Sequence, residues 1–447
     1  MLQYVIIGTG VAGVAAAEVI RHKDPLSPII LVGDEPQGYY SRPGLAYLLT
    51  GEILERQLFP VSKDRFQALR FRFMLNQVAQ ILPDAQRLEM KDGSSLVYDR
   101  LLIATGAGAV RATVPGSDLE GVVKLDSLAD VRHILKLIRR TRQAVVIGGG
   151  ITSLELVEGL LKRRVKAHYF LRGDRYWENV LDNTESRIIE NTLKDEGVEL
   201  HFRTELAEIL GKNGKVVGVR TVDGRTLPCE MVAVAIGVRP RLELAKNAGL
   251  KVDRGILVDE FLQTSNPHIY AAGDVAQVFD PTTGKSLLNS LWAPARDMGR
   301  AAGLNLAGSV GPYRKQQPFN VTRLAGFTTT IIGPIGSGGV DHDLVDITHG
   351  DSEAWSLLPE RDLGNVIAAQ CGFDVNHLRL LVGQQTLVGA VLMGDQTLSQ
   401  PLHHLITRSV DISPNRERLL QTPCSLAPLI IDCWDGWRQN HAEPTAV

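Results

Sequence analysis

Two stretches of this chain share one construction: YVIIGTGVAGVAAAEVI from Tyr4 and AVVIGGGITSLELVEGLL from Ala144. Each is a short β-branched run, a glycine turn and an amphipathic helix, the opening of a βαβ unit. Each is closed downstream by an apolar strand that ends in a small-residue turn, LLIATGA at Leu101 and VAVAIGV at Val232. Two dinucleotide folds are therefore expected in one chain. A third apolar strand, IYAAGDVAQV from Ile269, lies where a chain returning to the first fold would place its last strand, so the second unit is predicted to be inserted into the first. The length of 447 residues agrees, being too great for one ordinary core.

After Gly308 the texture changes to strands and turns: VTRLAGFTTTIIGPIG, then LRLLVGQQTLVGAVLMGD with Gly383-Gln384-Gln385 as a hairpin turn. The expected fold class is α/β, with two Rossmann-like dinucleotide-binding domains followed by a C-terminal α+β domain. The boundaries read from the sequence are 1–110 with 240–310 for the first domain and 111–239 for the second. The α+β domain takes 311–414, and 415–447 is expected to be an irregular tail.

In the first glycine turn, Gly8, Gly10 and Gly13 satisfy the dinucleotide fingerprint, which seats a pyrophosphate on the free N–H groups and positive end of the following helix. Asp34 and Glu35, at the end of the next strand, supply carboxylates for ribose hydroxyls. In the second turn, Gly148 and Gly150 are kept but Ser153 stands where the third glycine belongs, a weakening of the motif rather than its loss. The strand expected to end in a ribose-binding acid reads HYFLRGDRYW. Arg172 and Arg175 there can pair with a 2′-phosphate, which favours NADPH over NADH, the alternative being two solvated arginines beside an NADH site. Asp274 suits a flavin's ribityl hydroxyl, or a helix N-cap, or both. A helix beginning near Trp292 would direct its positive end at the flavin ring. Val78, Thr105, Gly106, Gly237 and Gly273 complete the expected cofactor-binding set.

The ordered motifs VIIGTGVAG, LLIATGA, AVVIGGGITSLE, VAVAIGVRP and IYAAGDV resemble flavoproteins built like glutathione reductase, the pyridine nucleotide-disulfide oxidoreductase superfamily. Within it, GDEPQGYYSRPGL is similar to ferredoxin reductases, rubredoxin reductases and apoptosis-inducing-factor-like proteins, and later segments to the flavoprotein part of nitrite reductases. The resemblance implies FAD held by Asp34, Glu35 and Arg42, and Glu155 beside the nicotinamide. It also locates departures. Pro43 and its neighbours occupy the place of a redox cysteine pair, and Gly44 and Tyr47 replace the usual second proline and lysine, which puts Tyr47 at the flavin.

The leading expectation is an FAD-dependent NAD(P)H oxidoreductase that passes hydride from nicotinamide C4 to flavin N5. Electrons would then go to a rubredoxin- or ferredoxin-like protein or to a partner subunit. An NAD(P)H oxidase or a quinone or other small-molecule reductase is one alternative. A flavin-bearing scaffold or regulatory subunit with a decayed nicotinamide site is another. Cys424 and Cys433 could shuttle electrons from the tail but suit simple packing better. Four scattered cysteines without CxxC give no disulfide scaffold and no metal site, and point to a reducing cytoplasm. Opposed charges of 48 and 50 argue against nucleic acid, and no apolar run is long enough to span a bilayer. A homodimer is expected from the resemblance.

Overall fold

The computed structural model describes residues 1–61, 63–281, 284–315, 317, 319–333, 335, 377–421 and 426–440. They form two compact units. The first holds Met1–Gly173 and Gly197–Lys315, and the second holds Asp174–Glu196 with the described residues after 316.

The first unit contains two five-stranded sheets, each built around the strand that precedes a glycine turn. One has the order Ile269–Ala271, Arg100–Ile103, Tyr4–Ile7, Ile29–Gly33, Phe71–Leu75, parallel throughout. The other runs Glu199–His201, Lys166–Phe170, Gln143–Ile147, Met231–Val234, Val122–Val123, again parallel. Continuous apolar runs such as YVII are what a strand covered on both faces requires. The late strand Ile269–Ala271 pairs with Arg100–Ile103 of the first sheet, so the second dinucleotide fold is an insertion in the first. Its two crossing segments travel together, Ala107–Ala109 pairing antiparallel with Val238–Pro240.

The helix Val11–Lys23 that follows the first turn packs on the helix Trp292–Leu306 with the backbones almost touching. A Cβ on Gly299 would lie 2.2 Å from the Ala12 carbonyl oxygen, and one on Gly303 would lie 2.7 Å from that of Ala16. Residues four apart share a helix face, so the two glycines cut one groove.

In the second unit, Phe319–Leu324, Phe327–Ile332, Leu387–Met393 and His377–Val382 form an antiparallel sheet in that order. Gly383 opens the turn between the last two in sequence, its N–H donating to Thr386 O at 2.9 Å. One expectation, the irregular tail, needs correction. The segment Asp174–Glu196, expected in the nucleotide domain, groups with this unit by its contacts, while its helix Asn183–Asp195 connects the parallel neighbours Lys166–Phe170 and Glu199–His201 of the nucleotide sheet. The reason for the grouping is Glu185, fully buried on the helix Asn183–Asp195, which takes both Nε and Nη2 of Arg379 at 2.8 and 2.9 Å. Once buried, such a carboxylate must keep its partner. The tail expected to be irregular contains the helices Arg416–Gln421 and Leu426–Asn440, whose Leu429 and Ile430 are buried. Cys424 lies outside the described residues; Cys433 accepts a hydrogen bond from Asn415 Nδ2. Among the described residues, no helix is long and apolar enough to cross a membrane.

Replacing Gly299 by alanine is expected to force the two helices apart and to cost about 1–3 kcal/mol of stability. Gly10→Ala is expected to cost much less, because nothing lies within 4 Å of the added carbon. Thermal melts of the two flavin-free variants, run side by side, check the contrast.

Candidate functional site

At the first glycine turn, Gly8 has φ +115° and its missing side chain leaves room for the Ala104 carbonyl, 2.1 Å from where a Cβ would be. Gly13 does the same for the Gly8 carbonyl at 2.2 Å. The middle glycine, Gly10, is different: it caps the helix Val11–Lys23, and an added Cβ would meet nothing within 4 Å. No side chain caps that helix and no acid stands in its first turn. Free N–H groups at a positive helix end, fronted by open space, fit a pyrophosphate.

Beyond the strand Ile29–Gly33, the acidic pair divides. Asp34 is exposed, while both oxygens of Glu35 are engaged, Oε2 by the Tyr40 hydroxyl at 2.5 Å and Oε1 by Arg42 Nη2. Arg42 Nη1 also donates to the Asp126 carbonyl oxygen at 2.5 Å, and the guanidinium lies over the Tyr40 ring at 5.3 Å. The Tyr40 hydroxyl accepts in turn from Leu128 N at 3.1 Å, and burial pushes its pKa up, so it remains a donor.

Three residues that the sequence reading passed over extend this network. Arg241 donates to Thr105 O at 2.8 Å and pairs with Asp126 at 3.4 Å, while its own N–H reaches Gly106 O at 3.0 Å. Lys124 Nζ lies 3.1 Å from Asp126 and 3.2 Å from Asp130. Burial works to raise the pKa of the Asp126 carboxyl, but Lys124, Arg42 and Arg241 outweigh it and hold the group below the usual carboxylate range. The only signal for Arg241 was its place just past VAIGVRP; Lys124 and Asp126 carried none. Arg241 and Thr105 meet because the paired crossing strands bring residues 136 apart in sequence together.

The second turn repeats the first in its essentials. Gly148 has φ +147° and a Cβ there would meet Ala235 O at 2.1 Å; Gly150 caps the helix Ile151–Lys162 without a side-chain bond; Gly149 faces open space. Ser153, expected to bind cofactor, instead turns inward. It is fully buried, with Oγ 2.7 Å from Gly150 O and 2.7 Å from Tyr169 Oη. Glu155 is buried on the same helix. Of the two arginines, Arg172 is exposed past the strand Lys166–Phe170, whereas Arg175 is drawn into its own loop by Asp174 and the Glu178 carbonyl at 2.9 Å.

The helix Gly44–Thr50, which carries Tyr47, links the two nucleotide sites. Leu49 packs where Gly159 has no side chain, a Cβ there lying 2.5 Å from Leu49 Cγ, and Arg163 Nε donates to Leu49 O at 3.1 Å. Val78 is buried at the start of the strand Val78–Leu82, and Gly237 lies in the turn before Val238–Pro240. Asp274 caps no helix, since the strand Ala276–Asp280 follows it. Burial raises its pKa to about 6 against the pull of Arg42 and Arg241. Gly273 beside it would place a Cβ 3.0 Å from Ala12 Cβ, so this turn sits against the first nucleotide helix. Trp292 is partly buried under Arg296, 4.9 Å from its ring, and opens a helix with no capping side chain and no acid in its first turn.

Two buried hydroxyls, Ser41 Oγ beside Arg42 and Ser290 Oγ just before Trp292, have no hydrogen-bond partner among the described residues. Unsatisfied polar atoms are costly and call for a ligand or water. With the two open glycine cradles, they make the residues present a fit for FAD at the first site and a nicotinamide dinucleotide at the second.

A family model described as pyridine nucleotide-disulphide oxidoreductase matches residues 2–299. The chain is 26% identical over 427 residues to the nitrite reductase [NAD(P)H] of Bacillus subtilis (strain 168), covering 95% of this chain and 49% of that one. It is 28% identical over 443 residues to the NADH-dependent phenylglyoxylate dehydrogenase subunit epsilon of Aromatoleum evansii, covering 98% of each. In fold it is similar to the solved covalent putidaredoxin reductase–putidaredoxin complex, with TM-score 0.79, 24% identity, and 97% and 99% of the two chains covered. The chain spans about half the length of the curated relatives it matches first, 49% and 51%.

The Asp274 carboxyl generates a pH dependence. Its pKa in the folded chain, about 6, lies above the ordinary 3.8, so its contribution to stability is full below about pH 4 and is lost as pH rises through 6. In flavin-free protein, Asp274→Asn is expected to remove that part of the decline, seen as a flatter plot of thermal midpoint between pH 4 and 8.

Proposed function

The chain belongs to the pyridine nucleotide-disulphide oxidoreductase family, and from that premise we propose an FAD-dependent NAD(P)H oxidoreductase whose electrons leave without a thiol relay, for a small redox protein or a partner subunit. The observation that carries the proposal is the pair of uncapped glycine-turn helices in one unit, bridged by the helix Gly44–Thr50, which contains no cysteine. When bound, FAD supplies a two-electron acceptor for nicotinamide hydride that can release electrons singly.

The protein's share is binding, orientation and electrostatics. Gly8, Gly10 and Gly13 seat the FAD pyrophosphate, with Asp34 and Glu35 toward the ribose and Arg42 as a fixed cation. Gly148 and Gly150 seat the nicotinamide dinucleotide, and Glu155 orients its reactive ring. The uncapped end of Trp292–Leu306 and the buried Ser290 favour the polar edge of the flavin ring. Arg172, exposed at the end of its strand, supports a preference for the 2′-phosphate of NADPH. A relative named as a subunit and matched over 98% of both chains supports an acceptor in a partner subunit. A homodimer belongs to the same reading and rests on the family resemblance, and a cytoplasmic setting rests on the four scattered cysteines.

Anaerobic mixing of the purified yellow protein with NADH and NADPH in parallel tests the proposal. Bleaching of the flavin by at least one of them is expected, faster with NADPH, and bleaching by neither refutes it. Arg172→Ala should slow reduction by NADPH about tenfold relative to NADH. Glu155→Gln should slow reduction by both about ten- to a hundredfold. Reoxidation by a rubredoxin or ferredoxin well ahead of oxygen is the expected second half; rapid reoxidation by oxygen alone identifies an oxidase instead.

A further inference from the structure

At the edge of the second parallel sheet, strands Lys166–Phe170 and Glu199–His201 bring three side chains together that no part of the proposed electron path uses. His168 Nδ1 lies 3.2 Å from His201 Nε2 and 3.1 Å from Glu199 Oε2. The three donor atoms all fall within 4.8 Å of one another. A tetrahedral ion with bonds of about 2.0 Å holds its donors about 3.3 Å apart, and the two separations from His168 Nδ1, 3.1 and 3.2 Å, suit such a ligand set.

The second partner of His168 suits the tautomer that leaves Nδ1 free. Its Nε2 lies 3.3 Å from Gln143 Oε1, and in the tautomer that donates to this oxygen Nδ1 offers a lone pair. That lone pair faces a carboxylate oxygen, itself only an acceptor. A divalent cation seated between them satisfies both at once. Access is open on one side, since His168 is 5% exposed at its side chain but Glu199 is 47% exposed. Lys166 Nζ, 2.5 Å from Glu199 Oε1, takes the other carboxylate oxygen, and the Phe170 ring packs on His201 with centroids 5.2 Å apart.

We propose that His168, Glu199 and His201 form a site for one zinc-like divalent cation, held by Nδ1, Oε2 and Nε2 with water in the fourth position. Two imidazoles and a carboxylate suit such an ion. Binding pins the edge strand Glu199–His201 to its neighbour and so stabilises the nucleotide sheet by mass action. The sequence conceals the site, because Glu199 and His201 reach His168 across a strand pairing more than 30 residues away in the chain. A second group of three, Asp182, Glu185 and His377, is a poorer candidate because Arg379 already occupies both oxygens of Glu185.

Flavin-loaded protein, stripped with chelator and dialysed, is titrated with zinc chloride in a calorimeter. One equivalent per chain is expected, accompanied by a rise in thermal midpoint. His201→Ala and Glu199→Gln, both at solvent-accessible positions, should each weaken that binding at least about tenfold, and Gln143→Leu by about 10–100-fold. His377→Ala should leave the isotherm unchanged. The flavin absorbance spectrum of each variant reports that it has folded. The proposal is overturned by the absence of a stoichiometric binding event, by an equivalent that survives in both His201→Ala and Glu199→Gln, or by its loss in His377→Ala alone.

Discussion

At Gly8 and Gly148 a side chain would strike the carbonyl oxygen after a neighbouring strand, at 2.1 Å in both places. That shared contact is the constraint from which the two nucleotide sites follow. Because the turn lies so tight against the sheet, the helix begins at once, with its first N–H groups directed outward and no side chain capping them. An uncapped helix end is a cost until an anion meets it. The repeat is unequal at its third position. Gly13 lets the Gly8 carbonyl approach a missing Cβ at 2.2 Å, but Ser153 brings a real one to 3.0 Å from the Cβ position of Gly148. The serine is accommodated because its hydroxyl bonds to Gly150 O and to the buried Tyr169. The second turn is held from inside the fold by this bond.

Local pattern made much of this legible. Strands such as YVII and AVVI, the glycine turns, the helix at Trp292 and the hairpin at Gly383 are specified by residues adjacent in sequence. Even the insertion could be read, from an apolar strand in the wrong half of the chain. What escaped depends on partners far apart. Arg241 acquires its role only because the crossing strands pair, and Gly159 only because Leu49 from another helix needs its space. In Asp174–Glu196 the nucleotide-domain helix is legible, but the pairing of its Glu185 with Arg379 is not. The tail misled for a different reason: its prolines suggested irregularity, while the apolar face that includes Leu429 and Ile430 folds a helix by burial.

Arg42 illustrates how structure refines a motif. Its guanidinium is already committed to Glu35 and to the Asp126 carbonyl without any ligand. Such an arginine is a fixed part of the wall rather than a mobile clamp. The charges around it come to a close balance. Arg42, Arg241 and Lys124 face Glu35, Asp126, Asp130 and Asp274, and Asp274 is itself protonated below about pH 6. The cluster therefore holds no surplus positive charge with which to attract a dinucleotide. A helix end contributes about 0.3–1 kcal/mol toward an anion when exposed and up to about 2 when partly buried. The arginine network sets where Thr105, Gly106 and Tyr40 stand. In a relative with a cysteine pair, this stretch would also carry the reaction. Here it is free to be structural, and the helix Gly44–Thr50 is used to seat one nucleotide-binding helix against the flavin domain.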